Sequence, residues 1–310
     1  MKILFERSAG SYLPEVTAYR RYLDQFDGVE TFEACSSCKC LGAAYDVLWK
    51  FPGLLPRRDH IFTVHEYNSL STAPFAKIKN LAKKVANARP DYRVFLNKRV
   101  RSGFKFKDEV PASIRDMGVD KSFFLAAETA RNVKKEYHLV YMGSLTKSRG
   151  VHEFVKSLVC RGINLKILLV GEPERGVFDE FRGNKDIVFT GRVDQSVLPD
   201  LALSAIAGLN FIPDVYPYNI QTSTKLIEYC ALGIGVVSSH YSWVDEFVRE
   251  RDGRFFWLNR GGKVTSASML EKFDFRTPSV NDLEWNAVIE RSGVFENVFS
   301  AVGFSPLRRI

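Results

Sequence analysis

The sequence predicts an α/β protein of two domains, each built on a parallel, doubly wound sheet. Two observations carry that reading. Short apolar runs alternate with segments whose apolar residues recur at three and four spacing, the rhythm of strand and helix in turn. The runs are apolar at consecutive positions, as in strands covered on both faces by helices.

In the second half the runs fall at 138–143, 167–171, 187–191, 208–212, 234–238 and 254–258, with helical patterns at 150–161, 196–205, 223–232 and 243–250. Three strands end in Gly143, Gly171 and Gly191, where backbone must turn sharply or approach a ligand. The first half is less regular. It has strands at 2–5, 29–32, 45–49, 60–64 and 93–96, and a loop at 8–14 leading into a helix with Val16, Tyr19 and Leu23. This reads as a second Rossmann-like domain. The polar stretch 126–136 lacks apolar periodicity and reads as a linker. The expected division is therefore 1–128, 129–285 and a C-terminal helical segment at 286–310, for which a crossing back to the N-terminal domain is open. Ligands of such a pair are expected in the cleft, at the C-terminal ends of the strands.

With 310 residues, 45% of them hydrophobic, the chain can fill two cores. No apolar run approaches the roughly 20 residues that span a bilayer, and residues 1–7 read as a short strand and not a signal peptide. The cytoplasm is the expected compartment, with the inner face of the plasma membrane as a place of work. Cys35, Cys38 and Cys40 are crowded together, unlike a disulfide framework. They could hold zinc only with a fourth ligand such as His60 or His65, and no second CxxC or HxxxH completes such a site, so reduced thiols are expected. The net charge is +8, concentrated between Lys77 and Lys107, where Asp91 is the only acidic residue. That face favours phospholipid headgroups, phosphorylated acceptors or nucleic acid. Nucleic acid is set aside, because no aromatic stacking array is interleaved with the charges and no nucleic-acid module is present.

Glu228 is the one acidic residue in 226–238, an otherwise apolar helix that turns at Gly233 into a buried strand. Burying that carboxylate costs several kcal/mol unless a polar group meets it. A ligand with paired hydroxyls would do so; a neighbouring Arg or Lys is the alternative. Thr222, Ser223, Thr224 and Lys225 open the same helix with free N–H groups, hydroxyls and a cation, the makings of a phosphate site. Phosphate at the helix start and a diol one turn in together describe a nucleotide.

The order of motifs resembles the GT-B glycosyltransferases, specifically the retaining "glycosyl transferases group 1" family, over most of the chain. Residues 138–150 look like the strand and Gly-containing loop that open the family's second domain, and 187–193 like its base-binding strand and loop. Residues 225–233 followed by 236–238 resemble the signature helix and strand, and 242–246 with Gly253 the element after it. In the first half, 63–66 and 117–120 with Phe123 match a family His after a strand and a marker near the hinge.

The resemblance implies a nucleotide-diphosphate-sugar donor, a cell-surface glycan or lipid-linked acceptor, and neither metal nor protein nucleophile. It implies that Glu228 accepts from the ribose hydroxyls and that the Val193 backbone, after Gly191, reads the base edge. Arg149, Lys225 and the turn Thr222, Ser223 and Thr224 would stabilise the diphosphate, His65 would face the donor sugar, and Gly10 and Gly143 would let backbone approach the ligand. Two positions depart from the pattern. Ile220 stands where the family usually has an acidic sugar contact, which would pass to Asn219 or backbone. Ser144 stands where one diphosphate-binding cation is usual, and Arg149 is Arg in place of Lys. A catalytically silent nucleotide- or glycan-binding partner protein is the alternative function.

Residues 72–88 place Phe75, Ile78, Leu81, Ala82 and Val85 on one helical stripe flanked by lysines. That pattern suits either a helix packed on the first domain or an anionic membrane surface.

Overall fold

The computed structural model describes residues 1–7, 13–35, 44–51, 61–71, 75–130, 133–258 and 264–309. They form two compact units, Met1–Gly118 with Glu284–Ile310, and Val119–Leu283.

Along the first unit run β1 (Lys2–Arg7), α1 (Pro14–Leu23), β2 (Glu30–Cys35), β3 (Val47–Lys50), β4 (Phe62–Tyr67), α2 (Ala76–Ala86), β5 (Tyr92–Phe95), α3 (Lys98–Phe104) and β6 (Ala112–Ile114). The strands are all parallel, in the order β2-β1-β3-β4-β5-β6. His65 lies inside β4, where the sequence pattern placed it just beyond a strand, because pairing with β5 continues to Tyr67. It aligns with Lys50 on one side and Arg93 on the other.

The second unit holds α4 (Lys121–Thr129), β7 (Tyr137–Met142), α5 (Val151–Cys160), β8 (Ile167–Val170), α6 (Arg175–Glu180), β9 (Ile187–Gly191), α7 (Leu198–Leu203), β10 (Ala205–Asn210), α8 (Thr224–Ala231), β11 (Gly235–Ser238), α9 (Ser242–Glu250), β12 (Phe256–Trp257) and α10 (Ala267–Glu271). Asp120 caps α4 by accepting from the Ser122 N–H at 2.9 Å, and Phe123 is fully buried, so the chain is helical into the stretch read as a linker. The chain then returns to the first unit as α11 (Trp285–Ser292) and α12 (Val294–Ala301), whose Trp285, Ile289, Phe295 and Phe299 join Phe5, Tyr19 and Trp49 in one core.

The sheet of the second unit is parallel, in the order β12-β11-β10-β7-β8-β9. From β7 the chain builds outward one way through β8 and β9, then crosses to β10 and builds the other way. The strand order therefore reverses between β7 and β10, and in open α/β sheets the crevice at such a reversal receives ligands. The loop after β7 and helix α8 after β10 meet there.

Helix α8 is held to the sheet at two points. The Tyr229 hydroxyl accepts from the Met142 N–H at 3.1 Å and donates to the Val140 carbonyl at 3.2 Å, both on β7. Its ring lies flat enough on β10 that a Cβ at Gly208 would come within 2.2 Å of it. At the other end the Ser223 hydroxyl donates to Asn210 at 2.7 Å, and Asn210 donates to Ser238 at 2.9 Å and Tyr241 at 3.1 Å.

Gly208→Ala is expected to lift α8 or strain Tyr229 and to destabilise the second unit by about 1–3 kcal/mol, the usual cost of overpacking. Denaturant unfolding checks this; a variant as stable as the parent would show that the Tyr229 ring is not seated on β10.

Candidate functional site

The strand ends of the second unit meet one another before they meet anything else. The Gly143 N–H donates to Val170 at 3.0 Å, and the Gly171 N–H to Gly191 at 3.1 Å. A Cβ on Gly171 would fall 2.3 Å from the Gly143 carbonyl oxygen. Glycine at 171 is thus required by backbone packed on backbone, and Gly143 and Gly191, both at positive φ, shape the same rim. Val193 follows in the loop after β9, partly buried, while the Arg192 N–H beside it donates to Glu172 at 3.3 Å.

Glu228, one turn into α8, is only 8% exposed. Among the described residues its carboxylate accepts no hydrogen bond and forms no ion pair. Burial pushes its pKa up to about 8, with Lys225 pulling the other way and Asp120 adding to the rise. The pairing with a neighbouring cation that would explain a merely structural buried Glu is not made.

Lys225 is partly buried, its ammonium 5.0 Å from the centre of the Tyr141 ring. Burial first, then the Arg149 charge, lower its pKa to about 8, against the pull of Glu228. Arg149 closes a short 3-10 turn, Lys147–Arg149, after β7, and its guanidinium lies 4.8 Å from the Tyr218 ring centre. No carboxylate pairs with either cation among the described residues. Two like charges, with only the longer-range pull of Glu228 set against them, form a site that favours an anion. Helix α8 adds to this, because its N-cap, Ser223, makes no side-chain cap hydrogen bond and its first N–H groups lie at the positive end of the helix.

The remaining expected residues divide. The Ser223 hydroxyl is spent on Asn210, so a phosphate reading of this turn rests on Thr224 and backbone; Thr222 and Thr224 are both partly buried. The Asn219 amide donates to Asp214 at 3.0 Å, while its carbonyl oxygen is buried without a partner among the described residues. Ser144 is exposed, its hydroxyl 3.5 Å from Thr146. Tyr141 and Tyr218, which hold the two cations from below, were not legible as site residues, since nothing local distinguishes them from core aromatics.

His65 belongs to the first unit and is fully buried. Burial, reinforced by the charges of Lys50 and Arg93, lowers its pKa to about 3, so the ring is neutral, and its Nδ1 finds no partner among the described residues. Gly10, and Cys38, Cys40 and His60 of the zinc alternative, lie outside the described residues. Among those described, no group of three His, Cys, Asp or Glu could hold a metal ion.

No family model and no curated protein matches the chain. Solved structures match it along nearly its whole length. Sucrose-phosphate synthase from Thermosynechococcus elongatus has a TM-score of 0.69 at 13% identity, over 97% of this chain and 99% of that one. Anabaena HepE in complex with UDP and glucose has 0.63 at 14%, over 97% and 100%. The fold is that of the GT-B glycosyltransferases. It is shared at a TM-score of 0.53 and 10% identity by the UDP-GlcNAc 2-epimerase of Methanocaldococcus jannaschii, over 97% and 100%, so a GT-B fold does not by itself choose the reaction.

An unmatched buried carboxylate costs stability, and the cost has a pH signature. Between about 4.5 and 8 the folded chain keeps a proton on Glu228 that the unfolded chain has released, so stability falls as pH climbs through that window. Glu228→Gln is therefore expected to stabilise the second unit at pH 8.5 by about 1–4 kcal/mol and to do little at pH 4.5. Urea unfolding at the two pH values checks it; a variant less stable than the parent at pH 8.5 would reveal a partner for the carboxylate.

Proposed function

We propose that this protein is a glycosyltransferase that takes a sugar from a nucleotide diphosphate and passes it, with retention, to a cell-surface glycan or lipid-linked acceptor. The observation that carries the reading is Glu228, buried and without a hydrogen bond or ion pair among the described residues, one turn inside a helix with no side-chain N-cap bond that also presents Lys225, with Arg149 across the strand reversal. A ribose diol satisfies the carboxylate, and a diphosphate satisfies the cations and the helix start. The relatives in fold include HepE solved with UDP and with UDP-glucose, which makes uridine the first base to test.

In this reading the bond between the sugar C1 and the β-phosphate oxygen breaks, its electron pair staying on the phosphate. The acceptor hydroxyl oxygen bonds to C1 on the same face, and its proton passes to the departing phosphate. Arg149, Lys225 and the N–H groups of α8 meet charge as it grows there, and preorganised donors of this kind are each worth roughly 10²–10³ in rate. Neither a metal nor a protein nucleophile has a part. The first unit's basic character suits an acidic or membrane-held acceptor, on the cytoplasmic face.

A second reading is a nucleotide- or glycan-binding partner without turnover. Ile220 in place of an acid, and Ser144 in place of a cation, favour it. Thermal shift with nucleoside diphosphates and nucleotide sugars, followed by assay for UDP release and for transfer, separates the two. A ligand at 100 times its Kd adds about 2.7 kcal/mol. Stabilisation without release of UDP under any acceptor would support the second reading; conversion of UDP-N-acetylglucosamine to its 2-epimer would replace both.

Arg149→Ala is expected to lower turnover by roughly 10²-fold while weakening binding of the bare nucleoside far less, because phosphate charge grows only as the sugar leaves. Uridine binding and donor turnover falling together would make Arg149 a structural residue.

A further inference from the structure

One surface of the first unit takes no part in this chemistry. Phe75 at the N-cap of α2, then Ile78, Leu81 and Val85, are 71, 64, 59 and 74% exposed. Single exposed apolar side chains are ordinary, but these four share one stripe on a helix of 11 residues that contains no acid. Lys79, Lys83 and Lys84 flank the stripe, and none forms an ion pair among the described residues. Burial and the neighbouring Lys79 charge hold the Lys83 pKa below its usual value, which an acidic partner would relieve.

The charge continues onto α3. The Lys84 ammonium donates to the Lys105 carbonyl at 2.6 Å, tying the end of α2 to the end of α3. Beside that junction lies a cavity of about 410 Å³ lined by Arg93, Arg101, Lys105, Phe106 and Asp108. Asp108 takes Arg93 in a two-pronged ion pair, so the cavity keeps Arg101 and Lys105 as unmatched cations. A second copy of the chain paired face to face here would bring the same cations together and be repelled. The occupant must offer apolar depth and a sheet of negative charge together.

We propose that α2 and the end of α3 dock on an anionic lipid bilayer, with Phe75, Ile78, Leu81 and Val85 below the headgroups and Lys79, Lys83, Lys84, Arg101 and Lys105 against their phosphates. Aliphatic stripes rimmed by lysine lie at the acyl boundary in this way, and each cation near an anionic surface strengthens binding about fivefold. The inference rests on the first unit alone and stands apart from the nucleotide reading.

Flotation of the full chain with phosphatidylcholine vesicles, with and without phosphatidylglycerol, tests it. The parent is expected to float with the anionic vesicles at low salt, and roughly tenfold less with the zwitterionic ones or at high salt. Ile78→Ser with Leu81→Ser, and separately Arg101→Glu with Lys105→Glu, should each cut flotation roughly tenfold or more. These side chains are exposed, and thermal unfolding of each variant confirms the fold. UDP-induced stabilisation of the same samples reads the second unit independently, so failure of the nucleotide reading would not disturb the vesicle result. A parent that stays with the unbound fraction, that floats equally with zwitterionic vesicles, or that the variants match would overturn the proposal. So would a concentration-dependent dimer in light scattering that Ile78→Ser with Leu81→Ser abolishes, which would give the stripe to a second copy.

Discussion

The seat of α8 on its sheet is the constraint from which the second unit's site follows. Tyr229 bonds to two backbone groups of β7, its ring fills the space a side chain at 208 would need, and Ser223 is bonded to Asn210 at the end of β10. With both ends of the helix fixed, Glu228 is held largely out of water and Lys225 partly so. Their pKa values are both driven to about 8, a carboxyl upward and an ammonium downward, because burial disfavours the charged form of each.

The first unit also buries charge, and its largest group is internally matched. Arg115, fully buried, pairs with Glu66, donates to the Tyr19 hydroxyl at 2.6 Å and to Asn68 at 2.9 Å, and Trp49 donates to the other Glu66 oxygen at 2.7 Å. Lys50 lies 3.5 Å from Glu6. Removing one member of such a matched group would leave the other stranded at a cost of about 3–5 kcal/mol, so these networks are structural on their face. Glu228 is built the other way, with its match left out.

Much of this was legible locally. Runs such as 167–171 and 234–238 announce buried strands, the glycines that end three strands mark the rim, and one Glu in an apolar helix marks itself. What stayed hidden depends on residues far apart in the chain. Nothing around Ser223 shows that its hydroxyl belongs to Asn210, and nothing around Arg115 shows that it answers Glu66. Strand β6, three residues beside Pro111, is too short to carry a period. Helix α4 was read as partly linker because its one deeply buried anchor, Phe123, lies near its start while residues 126–129 are small or polar.

Ribose recognition by Glu228 is open to a direct test, in which the ligand is varied against the residue. Calorimetric titration of the parent and of Glu228→Ala with UDP and with its 2′,3′-dideoxy counterpart gives a coupling energy free of effects on folding. If the carboxylate takes the two hydroxyls, the parent prefers UDP by about 2–4 kcal/mol and Glu228→Ala shows almost no preference. Equal discrimination by both proteins would place the ribose elsewhere and leave the buried charge of Glu228 without the ligand assigned to it.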